Sequence, residues 1–163
     1  MRKNSKKPGH AQVLPTPSHQ AAPARILVVD DDVVLCLFNA EVLAGAGFEA
    51  DMAEDGAAGW EAFQTSNYDL VITDNNMPKV SGIELLRKLR SVDKGLPVIM
   101  ISGAMPTEEL SREPELHLAA MLSKPFTSRQ LLKTVEHVLA QAEASRPRVK
   151  TARRESSTHA VAA

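Results

Sequence analysis

Short apolar runs alternate with segments of helical periodicity through the middle of the chain. Four runs rich in aliphatic or β-branched residues have the character of parallel strands that are covered on both faces, at 26–29, 70–73, 98–101 and 119–122. A weaker strand is predicted over 48–53. The sequence therefore predicts five strands separated by long connections.

Apolar positions three and four residues apart predict a helix after each strand. The five predicted helices cover 32–44, 56–65, 82–90, 107–118 and 127–142. The fourth is a poor helix, because Pro114 lies inside it and proline removes a backbone donor. Five strand–helix units in about 120 residues favour an α/β fold with a doubly wound, five-stranded parallel sheet and helices on both faces, since an eightfold barrel needs ~250 residues.

The first helix is apolar on two sides. Four of its side chains are predicted to face the core: Leu35, Phe38, Val42 and Leu43. Four others fall on the opposite side: Val33, Val34, Cys36 and Leu37. A solvated helix is normally polar on that side. The pattern predicts an apolar docking surface for a partner, with self-association or contact with a tail as the alternatives.

Both ends of the chain lack periodicity and are predicted to be disordered basic tails, over 1–24 and 143–163, around a domain at 25–142. The net charge is +4 over 1–24, −9 over 25–144 and +4 over 145–163. An acidic domain makes nucleic-acid binding an unfavourable interpretation and leaves the tails as the basic surface. No apolar run approaches the length of a membrane helix.

The single cysteine, Cys36, excludes an intramolecular disulfide and a cysteine-based metal site. With no apolar segment after the basic N-terminus, a secretory signal is not expected, and the predicted location is the cytoplasm. The tails also lack the periodicity of a small output domain. We therefore expect a stand-alone domain.

Polar side chains stand directly after the predicted strands. Asp30 and Asp31 follow the first strand, and Asp74, Ser102 and Lys124 follow the third, fourth and fifth strands. The carboxyl ends of parallel strands share one edge of the sheet, where α/β proteins bind ligands. Three carboxylates in one cleft suit Mg²⁺, and a neighbouring ammonium and hydroxyl suit a phosphoryl group. A carboxylate can be the nucleophile, so the pattern predicts phosphorylation of an aspartate.

Four segments carry a resemblance to the response-regulator receiver domain. They are ILVVDDD at 26–32, DNNMP at 74–78 followed by Gly82, ISGA at 101–104, and KPF at 124–126. They occur in the family's order, each at a strand end. The resemblance covers about residues 25–142 and implies a flavodoxin-like strand order of 2-1-3-4-5.

The resemblance implies that Asp74 accepts a phosphoryl group from the histidine of a sensor kinase or of a histidine phosphotransfer protein. Asp31 would bind Mg²⁺ directly, with Asp30 assisting through water. Asp74 and the backbone carbonyl of Asn76 would complete the protein ligands. The phosphorylated protein would change its binding to a downstream effector or pass the phosphoryl group on, and it would lose that group by slow self-hydrolysis rather than act as an enzyme.

Further roles follow from the same resemblance. Ser102 would hydrogen-bond the phosphoryl group and carry the switch, and Lys124 would pair with it. The Lys124–Pro125 bond would be cis. Met121 stands where the family commonly has an aromatic residue, so switching through a moving ring is in question. Pro114 is expected to shorten the fourth helix, which belongs to the family's usual output face.

Other interpretations remain open from the sequence alone. The aspartates at 30–32 could have no role beyond capping the first helix, and Asp74 could be an ordinary turn residue. A receiver-like module that is never phosphorylated is one alternative function. A phosphohydrolase of the haloacid dehalogenase type is another, although it requires a second aspartate where this chain has Asn76.

Overall fold

The strands pair side by side in one parallel sheet, in the order β2-β1-β3-β4-β5. The computed structural model describes residues 22–104 and 106–145. Within them the strands are β1 Arg25–Val29, β2 Glu49–Ala53, β3 Leu70–Asp74, β4 Val98–Ser102 and β5 Ala120–Ser123. This confirms the predicted fold class and strand order.

One helix follows each strand. The bounds are α1 Val33–Gly45, α2 Gly56–Thr65, α3 Gly82–Val92, α4 Thr107–Arg112 and α5 Ser128–Ser145. Helix α4 is shorter than predicted and ends two residues before Pro114, since the residue before a proline disfavours the helical conformation. Helix α5 runs three residues past its predicted end at 142, and β5 begins one residue later than predicted.

The strand side chains alternate between two apolar layers. Leu27 and Val29 of β1 lie in the layer that includes α3, whereas Ile26 and Val28 lie in the layer that includes α1 and α5. Every residue of β3 and β4 is buried, as expected for strands covered on both faces. The two layers hold the carboxyl ends of β1, β3 and β4 in fixed register.

The predicted orientation of α1 is partly wrong. Leu43 is buried as expected, but Phe38 is 47% exposed and Cys36 is buried against the sheet. The buried face includes the small residues Cys36 and Ala40, which let the helix approach the strands closely. Hydrophobic periodicity could not select this face, because the helix is apolar nearly all round.

An unpaired amide lies within the buried face of α1. Asn39 is 1% exposed, and within the described residues neither its side-chain nitrogen nor its oxygen has a hydrogen-bond partner. Burying an unpaired amide costs free energy. We therefore predict that Asn39→Leu raises the free energy of unfolding by about 1–3 kcal/mol, which urea denaturation can measure.

Asn39→Ala is the matched control for this prediction. It also removes the unpaired amide but leaves a void, so it should stabilise the protein less than leucine does. A leucine variant less stable than the wild type would contradict the expectation.

The predicted tails at 1–24 and 143–163 lie almost wholly outside the described residues. In the described part of the chain, no helix combines the length and the apolar character needed to cross a membrane.

Candidate functional site

The register of the sheet brings Asp30 and Asp74 together. Val29 of β1 pairs with Thr73 of β3, so the next residue of each strand lies at the same edge. Asp30 is 2% exposed and Asp74 is 5% exposed. Asp31 is exposed beside them. Carboxylate oxygens of all three residues lie within 4.8 Å of one another. The predicted cluster therefore forms.

Lys124 supplies the positive charge of this cluster. The cis peptide bond between Lys124 and Pro125 follows β5, as the resemblance implied, and the Lys124 amide donates to the carbonyl of Ser102 at 3.0 Å. The ammonium Nζ lies 3.1 Å from Asp74 Oδ1 and 3.3 Å from Asp30 Oδ2. One cation therefore serves two buried carboxylates.

The pKa values of Asp30 and Lys124 reflect burial and the charged partners of each group. Burial is the largest influence on Asp30 and raises the pKa of its carboxyl, although the Asp32 amide and the Lys124 charge act the other way. Burial alone would lower the pKa of Lys124, but its hydrogen bond to Asp74 and the charge of Asp30 outweigh burial, and that pKa is raised. The ammonium is therefore fully charged at neutral pH.

The donor set fits a hard divalent cation. Three carboxylates converge on one cleft with a single ammonium, which leaves negative charge uncompensated. Oxygen ligands of this kind, with an exposed side open to water, suit Mg²⁺. Asp32 stands apart from the cluster: its side chain caps α1 by accepting from the amides of Val34 and Leu35, so for this residue the capping interpretation is correct.

The segment after Asp74 is held by its own backbone. The amide of Asn76 donates to Asp74 Oδ2 at 3.0 Å. The Asn75 carbonyl accepts from the amide of Gly82, and the Asn75 side chain accepts from Ile83 at the start of α3. The role of Asn75 was not predicted from the sequence, although an asparagine directly after a strand is a common signal of such a turn.

Glycine is required at position 82. A Cβ there would lie 2.3 Å from the backbone oxygen of Asp74, which a real side-chain carbon essentially never approaches so closely. The start of α3 thus packs directly on the backbone of Asp74.

The two predicted switch residues, Ser102 and Met121, differ in burial and in contacts. Ser102 is buried at the end of β4, and its hydroxyl donates to the carbonyl of Ala104 at 2.8 Å and accepts from the amide of the same residue. Met121 lies on β5 and is 51% exposed, so its thioether does not fill an interior pocket.

The sequence of the domain matches one family. The response regulator receiver domain family matches residues 26–136. This chain therefore belongs to the response regulator receiver domain family, as the four motifs suggested.

Relatives and solved structures agree with this assignment. SilR of Salmonella typhimurium, a probable transcriptional regulatory protein, is 36% identical over 115 residues, which are 71% of this chain and 50% of SilR. CpdR of Brucella abortus, a response regulator receiver protein, is 32% identical over 123 residues, which are 72% of this chain and 98% of CpdR. The chain spans about half the length of several transcriptional regulators that it matches.

Two solved structures share the fold. A CheY-like receiver domain protein from Methanospirillum hungatei has a TM-score of 0.71 at 27% identity and covers 75% of this chain and 98% of its own. The chemotaxis response regulator CheY4 of Vibrio cholerae has a TM-score of 0.65 at 30% identity and covers 71% of this chain and 98% of its own.

Proposed function

We propose that this protein is a phospho-acceptor switch of a two-component phosphorelay, with Asp74 as the acceptor. The observation that carries the proposal is the position of the Asp74 carboxylate, which is nearly buried, bonded to Lys124 and grouped with two further carboxylates. The donor is the phosphohistidine of a sensor kinase or a phosphotransfer protein.

In the proposed transfer, a carboxylate oxygen of Asp74 attacks the phosphorus of phosphohistidine. A P–O bond forms, the P–N bond breaks, and the imidazole leaves with the electron pair and is protonated from solvent. During the transfer Lys124 neutralises a phosphoryl oxygen; positioning together with such charge neutralisation is most of what phosphoryl transfer requires. Asp30, Asp31, Asp74 and the backbone carbonyl of Asn76 would hold Mg²⁺. When bound, the ion supplies further positive charge to the phosphoryl oxygens.

The output step uses the edge formed by β4 and β5. For Ser102 to donate to the phosphoryl group, its hydroxyl must give up the hydrogen bond that it donates to the Ala104 carbonyl. That change would rearrange the segment leading into α4. We propose that this movement, rather than the entry of Met121 into a pocket, changes the binding of a downstream effector. Slow self-hydrolysis of the aspartyl phosphate would reset the switch.

Incubation of the full chain with acetyl phosphate tests the proposal without requiring the partner. We expect the intact mass to increase by one phosphoryl group when Mg²⁺ is present and to remain unchanged when EDTA has removed the metal. Wild-type protein that gains no phosphoryl group from acetyl phosphate or from any phosphorylated kinase of the same genome would instead favour a module that is never phosphorylated.

We further propose that the outer face of α1 receives the phosphoryl donor. Four of its apolar side chains are exposed: Val33, Val34, Leu37 and Phe38. A cavity lined by Val33 also includes Asp30, so this face adjoins the acceptor cleft. The structure changes the predicted membership, since Phe38 replaces Cys36 on the exposed side. A donor that delivers a phosphohistidine to Asp74 would cover this corner.

Val34→Lys and Leu37→Lys test the docking face. Each should slow phosphoryl transfer from the kinase that phosphorylates the wild-type chain fastest by about tenfold or more, because a buried charge opposes docking. Phosphorylation by acetyl phosphate should not change. Val92→Lys, at an exposed apolar position on α3, is the matched control. Unchanged transfer rates and an unchanged oligomeric state in both α1 variants would contradict the proposed docking face.

The remaining alternatives have less support. Nothing in the site favours a haloacid dehalogenase-type hydrolase, whose second aspartate is Asn76 here. The proposal places the protein in the cytoplasm, consistent with Cys36 as a free, buried thiol. The transcriptional role named for SilR belongs to that protein.

A further inference from the structure

A contact outside the carboxylate cluster ties the segment after Asp74 to helix α2. We propose that Asp55 and Lys79 are positioning residues for phosphoryl acceptance, which fix residues 75–81, the acceptor loop, against the N-terminus of α2. This inference rests on the proposed function of Asp74, since it concerns how that carboxylate is held for reaction.

The first support is an ion pair with one fixed member. Lys79 Nζ pairs with Oδ2 of Asp55, whose side chain is almost fully buried. Oδ1 of Asp55 accepts from the amides of Ala57 at 2.9 Å and Ala58 at 2.8 Å, so the carboxylate also caps α2. The lysine therefore pairs with a carboxylate whose orientation is fixed by burial and by two backbone amides, unlike an ordinary surface carboxylate.

The second support is the backbone conformation of Lys79. Among the described residues it is the one non-glycine residue with a positive φ, at 65°. The left-handed region disfavours a lysine and suits glycine or asparagine better. A lysine at such a position indicates that its ammonium has a role, here the ion pair with Asp55. Residues held in disfavoured conformations cluster at functional sites.

The third support is a close backbone approach beside the ion pair. A Cβ on Gly56 would lie 2.4 Å from the backbone oxygen of Val80. The loop and the first turn of α2 therefore touch where only glycine leaves room. Two neighbouring residues of the loop, Lys79 and Val80, thus contact Asp55, the residue that caps α2, and Gly56, its first residue.

These contacts act on the acceptor through the loop. The amide of Asn76 donates to Asp74 Oδ2, and the Gly82 amide closes the loop on the carbonyl of Asn75. The ion pair of Lys79 with Asp55 and the close approach of Val80 to Gly56 hold the same loop against the start of α2. A loop released from α2 would let the Asn76 amide drift, and the Asp74 carboxylate would lose its orientation. Small misplacement of a reacting group lowers the rate far more than it lowers stability.

Lys79→Met and Asp55→Asn test the inference with the full chain, acetyl phosphate and Mg²⁺. Asparagine still caps α2, so the fold is preserved while the ion pair is lost. We expect the maximal rate of phosphorylation at saturating acetyl phosphate to fall roughly three- to tenfold in both variants. The concentration for half-maximal rate and the melting temperature should stay near those of the wild type, and Lys79→Arg should restore the rate.

The two variants change the local charge in opposite directions, which separates positioning from a simple field effect. If charge alone mattered, losing a lysine would slow reaction with the anionic donor and losing an aspartate would speed it. Positioning predicts that both are slow and that the double variant is no slower than either single variant. Lys94→Met controls for loss of an exposed lysine. If Asp55→Asn is as fast as the wild type or faster, the inference is overturned, and a wild-type chain that forms no adduct would overturn the proposed function instead.

Discussion

Replacing Asp74 with asparagine should abolish the phosphoryl adduct completely. An amide is not a nucleophile for this transfer, so the substitution removes the carboxylate that the proposed reaction uses. Incubation with acetyl phosphate and Mg²⁺, followed by intact mass measurement, gives the result directly.

The same variant should remain folded. The amide oxygen of an asparagine can still accept from the Asn76 amide, and Lys124 keeps its pair with Asp30. One fewer buried carboxylate also reduces repulsion in the cluster, so the melting temperature without metal should be no lower than that of the wild type. An Asp74→Asn protein that still gains a phosphoryl group would show that another residue is the acceptor.

Replacing Lys124 with methionine should have the next largest effect. The ammonium contacts both buried carboxylates, and in the proposed reaction it neutralises the transferred phosphoryl oxygens together with bound Mg²⁺. Removing one preorganised charge from such a site costs about 10²–10³ in rate. Phosphorylation by acetyl phosphate should therefore slow by that factor, measured as the initial rate of adduct formation.

The stability of this variant supplies an independent check. Without Lys124, Asp30 and Asp74 would lie buried together with no ion pair from the described part of the chain, so the melting temperature in EDTA should fall. Added Mg²⁺ should restore more stability to Lys124→Met than to the wild type, because loss of the ammonium leaves more uncompensated negative charge in the folded cluster for the ion to bind. Lys94→Met is again the control. A rate within about threefold of the wild type would contradict the assigned role of Lys124.

The sequence was most informative where chemistry and topology coincide. Alternating strands and helices predicted the parallel sheet, and that sheet brings the residues at strand ends to one edge. Asp30, Asp31, Asp74 and Lys124 could therefore be grouped before any coordinates, although they lie far apart in the chain. Lys124–Pro125 was expected to be cis only from the family resemblance, and the structure agrees.

Patterns failed where several faces had similar polarity. Helix α1 is apolar on nearly every face, so its sequence gave no basis for placing Cys36 inward and Phe38 outward. The direction of a hydroxyl, as in Ser102, depends on local turn geometry that spacing does not encode. The contact of Lys79 with Asp55 joins residues 24 apart through a left-handed backbone position, and no sequence periodicity signals such a pair.

The most direct test of the central claim is to locate the phosphoryl group. Full-length protein treated with acetyl phosphate and Mg²⁺ can be digested and sequenced by tandem mass spectrometry under conditions that preserve or trap the acyl phosphate. We predict a single modified residue, Asp74. Modification at Asp30, Asp31 or any other residue, with Asp74 unmodified, would contradict the account.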